Sequence, residues 1–108
     1  MALVRACSKS DVPLGGLKYV RAGGKDFVIA NVDGNFYAMD NWCTHEQGNL
    51  SMGELKKNVL TCPDHGAQFD VTAGRVLGGP EGESPDSISP EKTYRLTLEG
   101  NDVMIEIA

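Results

Sequence analysis

Two short stretches hold most of the side chains that could bind a soft metal: Trp42-Cys43-Thr44-His45 and Cys62-Pro63-Asp64-His65. Both histidines of the chain and two of its three cysteines fall here, spaced C-x-H, then sixteen residues, then C-x2-H. A thiol and an imidazole one or two residues apart can turn to the same side of a loop tip, so each stretch can present one sulfur and one ring nitrogen. Four donors from two separate stretches meet only in the folded chain. One chemistry that takes such a set is a tetrahedral Cys2His2 zinc site. Another is a two-iron, two-sulfide cluster with two cysteines on one iron and two histidines on the other. Zinc sites usually pair like with like, whereas each pair here is mixed. The bland alternative is a clustering of donors with no metal at all.

Short strands surround these stretches. Leu17 to Arg21 and Phe27 to Val32 are β-rich runs separated by Ala22-Gly23-Gly24-Lys25-Asp26. Asp33-Gly34 then stands before Phe36-Tyr37-Ala38-Met39, a tight-hairpin signal whose second strand leads straight to Trp42. Residues 46 to 54 show no periodicity and read as loop. Asn58 to Thr61 is a short strand entering the second pair. Ala67 to Val71 alternates at period two and leaves it, and Arg75 to Leu77 returns after a Thr72-Ala73-Gly74 turn. Gly78 to Lys92 carries three prolines and three glycines with no hydrophobic pattern, a length that in a compact fold marks a functional or mobile loop. Tyr94, Leu96 and Leu98, then Val103, Ile105 and Ile107, alternate with polar residues across Gly100-Asn101-Asp102 as a closing hairpin. No segment has the length and repeat of a helix. The fold class is all-β, with short antiparallel strands packed as a sandwich or barrel.

Composition narrows the function classes. A net charge of -5 over 108 residues argues against a binder of nucleic-acid backbones and leaves room for a basic protein partner. No apolar run approaches the roughly 18 residues of a membrane span, and the N-terminal apolar run is too short for a signal peptide. An odd number of cysteines suits a reducing compartment better than a disulfide framework, so the expected location is the cytoplasm. Cys7 reads as a small buried hydrophobe.

The spacing C-x-H-x16-C-x2-H, followed by Gly66 and Phe69, resembles the Rieske iron–sulfur motif, and the resemblance extends over essentially the whole chain. It implies a [2Fe-2S] cluster with Cys43 and Cys62 on a buried iron and His45 and His65 on an outer one. It implies three small antiparallel sheets in a sandwich, with the two ligand loops as a cluster-binding part at roughly residues 41–80 of a single domain, 1–108. Pro80 would lie in a third loop that shields the cluster. With neutral imidazoles the oxidised core is formally neutral, so its potential exceeds that of four-thiolate clusters. The donor shell is full, so the centre is a one-electron relay and not a catalyst.

Within that family, high-potential members carry a cysteine at each of the positions held here by Gly48 and Asp64, forming a disulfide between the loops. They also carry serine and tyrosine where this chain has Ala67 and Phe69, and those hydroxyls bond to sulfur. Lacking all four, this chain resembles the low-potential ferredoxins of aromatic-ring dioxygenase systems, with a potential near roughly -150 mV. Such ferredoxins pass electrons from a flavin-containing reductase to a terminal oxygenase, and a monomer is expected. A small Rieske subunit of another redox enzyme, such as nitrite reductase, is the alternative. No flavin or nicotinamide fingerprint is present.

Overall fold

The structure is a computed structural model that describes residues 2–44 and 47–107. The expected ligand His45 thus lies outside the described residues, as does Glu46. Among the described residues eleven strands form three antiparallel sheets, which bears out the all-β expectation. The first sheet is β1 (Ala2–Ser8), β11 (Asp102–Ile107) and β10 (Leu96–Glu99), in that order. The second runs β2 (Leu17–Ala22), β3 (Lys25–Val32), β4 (Asn35–Asp40) and β9 (Thr93–Tyr94). The third runs β5 (Glu54–Lys56), β6 (Val59–Thr61), β7 (Gln68–Asp70) and β8 (Val76–Gly78).

Strand β3 is the hinge of the packing, and its sequence says why. Phe27, Val28, Ile29 and Ala30 are all buried, because successive side chains point to opposite faces and both faces are covered. Phe27 and Ile29, with Ala38 of β4, pack on Val103, Ile105 and Cys7 of the first sheet. Val28 and Ala30, with Met39, pack on the other side with Cys43, Leu50, Leu60, Cys62 and Phe69. Each large apolar side chain buried in this way contributes about 1.5–3 kcal/mol. The middle sheet therefore carries two cores, one against the first sheet and one that includes Cys43 and Cys62. Phe27 also meets the Tyr94 ring edge to face at 4.7 Å.

The Asp33-Gly34 hairpin forms as expected: Val32 pairs with Asn35, and both turn residues have positive φ, 54° and 91°. That is the geometry of a two-residue type I′ turn, whose twist matches the strands it joins. Gly34 N–H donates to Asn31 Oδ1 at 2.8 Å, fixing the turn to the strand.

Three features depart from the sequence expectation. Strand β1 was not anticipated; it pairs along β11 through its backbone, yet of its residues only Cys7 is buried. Residues 46 to 54 are not merely loop. A 3-10 turn at Leu50–Met52 drops Leu50 fully into the core, and Asn41 Oδ1 accepts from Ser51 N–H at 3.1 Å to hold it there. Glu54 begins β5. The alternating run from Tyr94 to Leu98 is split: Tyr94 pairs with Ala38 in the middle sheet, while Leu96 pairs with Ile105 in the first. Cys7 is the buried, free thiol expected. Among the described residues no helix is long and apolar enough to cross a membrane.

Candidate metal centre

The two candidate stretches are closed off by the same backbone bonds between their described residues. The first stretch leaves from an antiparallel bridge between Trp42 and Asn49. The second, 62–67, hangs from the Thr61–Gln68 pair of the β6–β7 hairpin. In the first, Cys43 N–H donates to Gly48 O at 2.8 Å, and Gln47 N–H donates back to Cys43 O at 3.1 Å. In the second, Cys62 N–H donates to Ala67 O at 2.7 Å, and Gly66 N–H donates back to Cys62 O at 3.1 Å. The fifth residue of each loop is left-handed: Gln47 at φ 54° and Gly66 at φ 78°. A cysteine thus opens each closed ring of backbone bonds, with its own N–H and carbonyl satisfied.

The two thiols are withdrawn from water. Cys43 is 2% and Cys62 3% exposed, and both belong to the core that includes Leu60, Ala67 and Phe69. The loops touch. A Cβ on Gly48 would stand 2.7 Å from Cys62 Sγ and 2.8 Å from Asp64 Oδ2, so only glycine lets loop one approach the second sulfur. Gly53 serves another close approach, since a Cβ there would meet Thr61 O at 2.2 Å. His65 is half-buried at the tip of loop two, with its Nδ1 closed off from solvent. Its backbone carbonyl accepts from Glu81 N–H at 2.6 Å.

Ala67 and Phe69 are both fully buried in the core that holds the two cysteines, and neither carries a side-chain donor. Trp42 is 42% exposed, and its indole N–H donates to Asp26 Oδ2 at 3.1 Å. Asp26 also accepts from Tyr19 and Arg21; those hydrogen bonds, Tyr19 first, hold its carboxyl below the usual carboxylate range.

The 79–92 segment lies across both loops. Pro80 is buried at its start, and its far end reaches loop one, where Thr44 N–H donates to Glu91 Oε2 at 2.9 Å and Thr44 Oγ1 to Ser89 O at 2.6 Å. Sequence reasoning missed Glu91. Standing after Pro90 in a polar stretch without periodicity, it gives no signal of being buried, yet it is only 5% exposed. Burial pushes its carboxyl up to about 8, with the Thr44 N–H opposing and Asp40 adding to the rise.

Among the described residues no three His, Cys, Asp or Glu side chains gather around a single point. A bridged two-iron group asks for no such point, because it takes thiolates at one iron and imidazoles at the other. Two buried thiols on adjoining loops, with an imidazole further out on one of them, fit that group. A family model for the Rieske [2Fe-2S] domain matches residues 2–104. The chain belongs to the Rieske [2Fe-2S] domain family. It is 35% identical over 109 residues to the biphenyl dioxygenase ferredoxin subunit of Pseudomonas sp. strain KKS102, covering 100% of this chain and 94% of that one. The Sphingomonas yanoikuyae B1 ferredoxin superposes with a TM-score of 0.88 at 30% identity, covering 99% and 100% of the two chains. A chain from the complex of reduced oxygenase and oxidized ferredoxin in carbazole 1,9a-dioxygenase superposes with a TM-score of 0.83 at 28% identity, covering 95% and 91%. Rieske ferredoxins are electron carriers, and so is this chain; the zinc alternative left open by the donor set falls away with the family match.

Proposed function

We propose that this chain carries single electrons from a flavin-containing reductase to a terminal oxygenase, with Cys43 and Cys62 binding a buried iron and His45 and His65 an outer one. The observation that carries the ligand assignment is the matched pair of backbone closures, each opened by a buried cysteine, with Gly48 of the first set against Cys62 Sγ of the second. When bound, the [2Fe-2S] cluster supplies reversible one-electron chemistry. The chain's own residues do the rest. The two cysteines enter as thiolates from the apolar core, which keeps water from that end of the site. His65, further out on loop two, gives the side from which a partner's redox centre can approach. Ala67 and Phe69 leave the sulfurs without side-chain hydroxyl donors, which supports a low potential.

The cluster-binding part is residues 41–80 or so of one domain, and the carrier acts as a monomer in the cytoplasm. A dioxygenase as the electron acceptor is supported by the biphenyl relative and by the carbazole system, in which a ferredoxin is seen bound to its oxygenase. Reconstitution tests the assignment. Mixed with a flavoprotein reductase and an aromatic-ring oxygenase, the holoprotein should be reduced by the first and reoxidised by the second. Failure to exchange electrons with any reductase–oxygenase pair of this class would overturn the proposed place between them.

A further inference from the structure

The segment between β8 and β9 grips both ligand loops, one near each of its ends. Near its start, Glu81 N–H holds the His65 carbonyl. At its end, Ser89 O and Glu91 Oε2 together take both donors of Thr44, the residue between Cys43 and His45. The loops differ in their other support. Loop two is the tip of a hairpin that runs three paired residues deep, whereas loop one hangs from one isolated bridge. Loop one therefore depends more on its tether to this segment.

Glu91 is a costly residue for that tether. A buried carboxyl without an ionic partner is strongly disfavoured, and among the described residues neither ion pair includes Glu91. The nearby Asp40 adds repulsion; its own carboxylate accepts from Tyr94 OH at 2.6 Å. Lys25 and Lys92 are drawn instead over the Tyr94 ring, at 5.7 and 5.2 Å from its centre. Among the described residues the Glu91 side chain accepts the backbone N–H of Thr44.

We propose that Glu91 is a positioning residue for the electron-transfer centre: its side-chain oxygen takes the Thr44 N–H, locking ligand loop one to the 79–92 segment and withholding that N–H from the cluster's sulfurs. A backbone amide has one proton to donate. Hydrogen bonds to cluster sulfur favour the more negative, reduced state and so raise the potential. By occupying the Thr44 donor, Glu91 holds the potential down and keeps loop one in place.

The proposal rests on the ligand assignment above, and the wild-type holoprotein separates the two: without a cluster in the wild type the assignment itself fails, before any variant is compared. Wild type, Glu91→Gln and Glu91→Leu are then compared by redox titration, by EPR of the reduced state and by the rate of iron release to a ferrous chelator. Glutamine keeps an acceptor oxygen in place; leucine fills the space without one. Glu91→Leu should raise the potential by about tenfold in the one-electron equilibrium, ~59 mV, with shifted g-values. It should also release iron about tenfold faster, the lower end of what losing an outer-shell partner does. Glu91→Gln should stay within about twofold of wild type on both counts. A Glu91→Leu protein indistinguishable from wild type overturns the proposal. So does a Glu91→Gln protein as altered as Glu91→Leu, because charge and not the hydrogen bond would then be acting. If Glu91→Leu yields no holoprotein, Glu91→Ala takes its place under the same criteria.

Discussion

Gly48 lies against the sulfur of Cys62: a Cβ added to it would stand 2.7 Å from Sγ, inside any real contact distance. This is where the two ligand loops meet, and it makes a glycine in loop one a condition for the position of a thiol in loop two. Gly48→Ala should therefore fold but bind less iron, because one of the loops must give way at an overpacking cost of about 1–3 kcal/mol. Iron per chain and visible absorbance check this. Full occupancy with an unchanged spectrum would show that the loops are not held as closely as described.

The left-handed fifth residue of each loop gives a paired test. Gly66 has φ 78° with nothing within 4 Å of where a Cβ would be, so Gly66→Ala should cost about 1–2 kcal/mol from backbone strain alone and leave the cluster spectrum unaltered. Gln47 holds the equivalent conformation at φ 54° with a side chain, so Gln47→Gly relieves the same strain. Glycine's greater freedom in the unfolded chain offsets roughly 0.5–1 kcal/mol of that gain. Thermal melts of the holoproteins should show the first variant lowered and the second level with wild type or slightly raised.

How much of this was legible beforehand varies with the kind of signal. The strands that line a core announced themselves: Val103, Ile105 and Ile107 alternate because one face is buried, and Asp33-Gly34 marks its turn because few residue pairs accept two positive φ angles. The candidate ligand residues stood out because cysteine and histidine are rare in this chain and fall in two short stretches. Strand β1 was not visible, since it is held by backbone pairing that no side-chain pattern records. Leu50 was hidden in a stretch with no repeat, since it is buried by a single 3-10 turn and an asparagine hydrogen bond. Glu91 was least legible of all: its burial comes from the path of a long loop across the ligand loops, and no local sequence property encodes that path.

Phe69 and Ala67 line the same core as both candidate thiols without offering a hydroxyl. Phe69→Tyr, which adds a donor at a position where related centres use one, should raise the reduction potential by tens of millivolts. That corresponds to about 0.5–1.5 kcal/mol of net hydrogen bonding in favour of the reduced state. Redox titration checks it. An unchanged or lowered potential would separate the low-potential reading from the missing hydroxyl.

Glu91 also sets a pH dependence of stability. Its carboxyl is raised by burial from 4.5 to about 8, so between those values the folded chain holds a proton that the unfolded chain gives up. The contribution of Glu91 to stability is thus complete below about 4.5, shrinks as pH rises, and is gone above about 8. Melting temperatures of the wild type should fall more steeply across this range than those of Glu91→Gln. Parallel curves for the two proteins would mean that Glu91 does not carry the proton.

The central claim is that two thiolates and two imidazoles, from Cys43, Cys62, His45 and His65, hold the cluster. Pulsed EPR of the dithionite-reduced protein reads this directly, through the coupling of the unpaired electron to ligand nitrogen. The account predicts a signal with average g below the free-electron value and strong coupling to two imidazole nitrogens, one of which disappears when His65 is replaced by a non-nitrogen ligand. A reduced cluster with no strongly coupled nitrogen, or the same two nitrogens after that replacement, would contradict it.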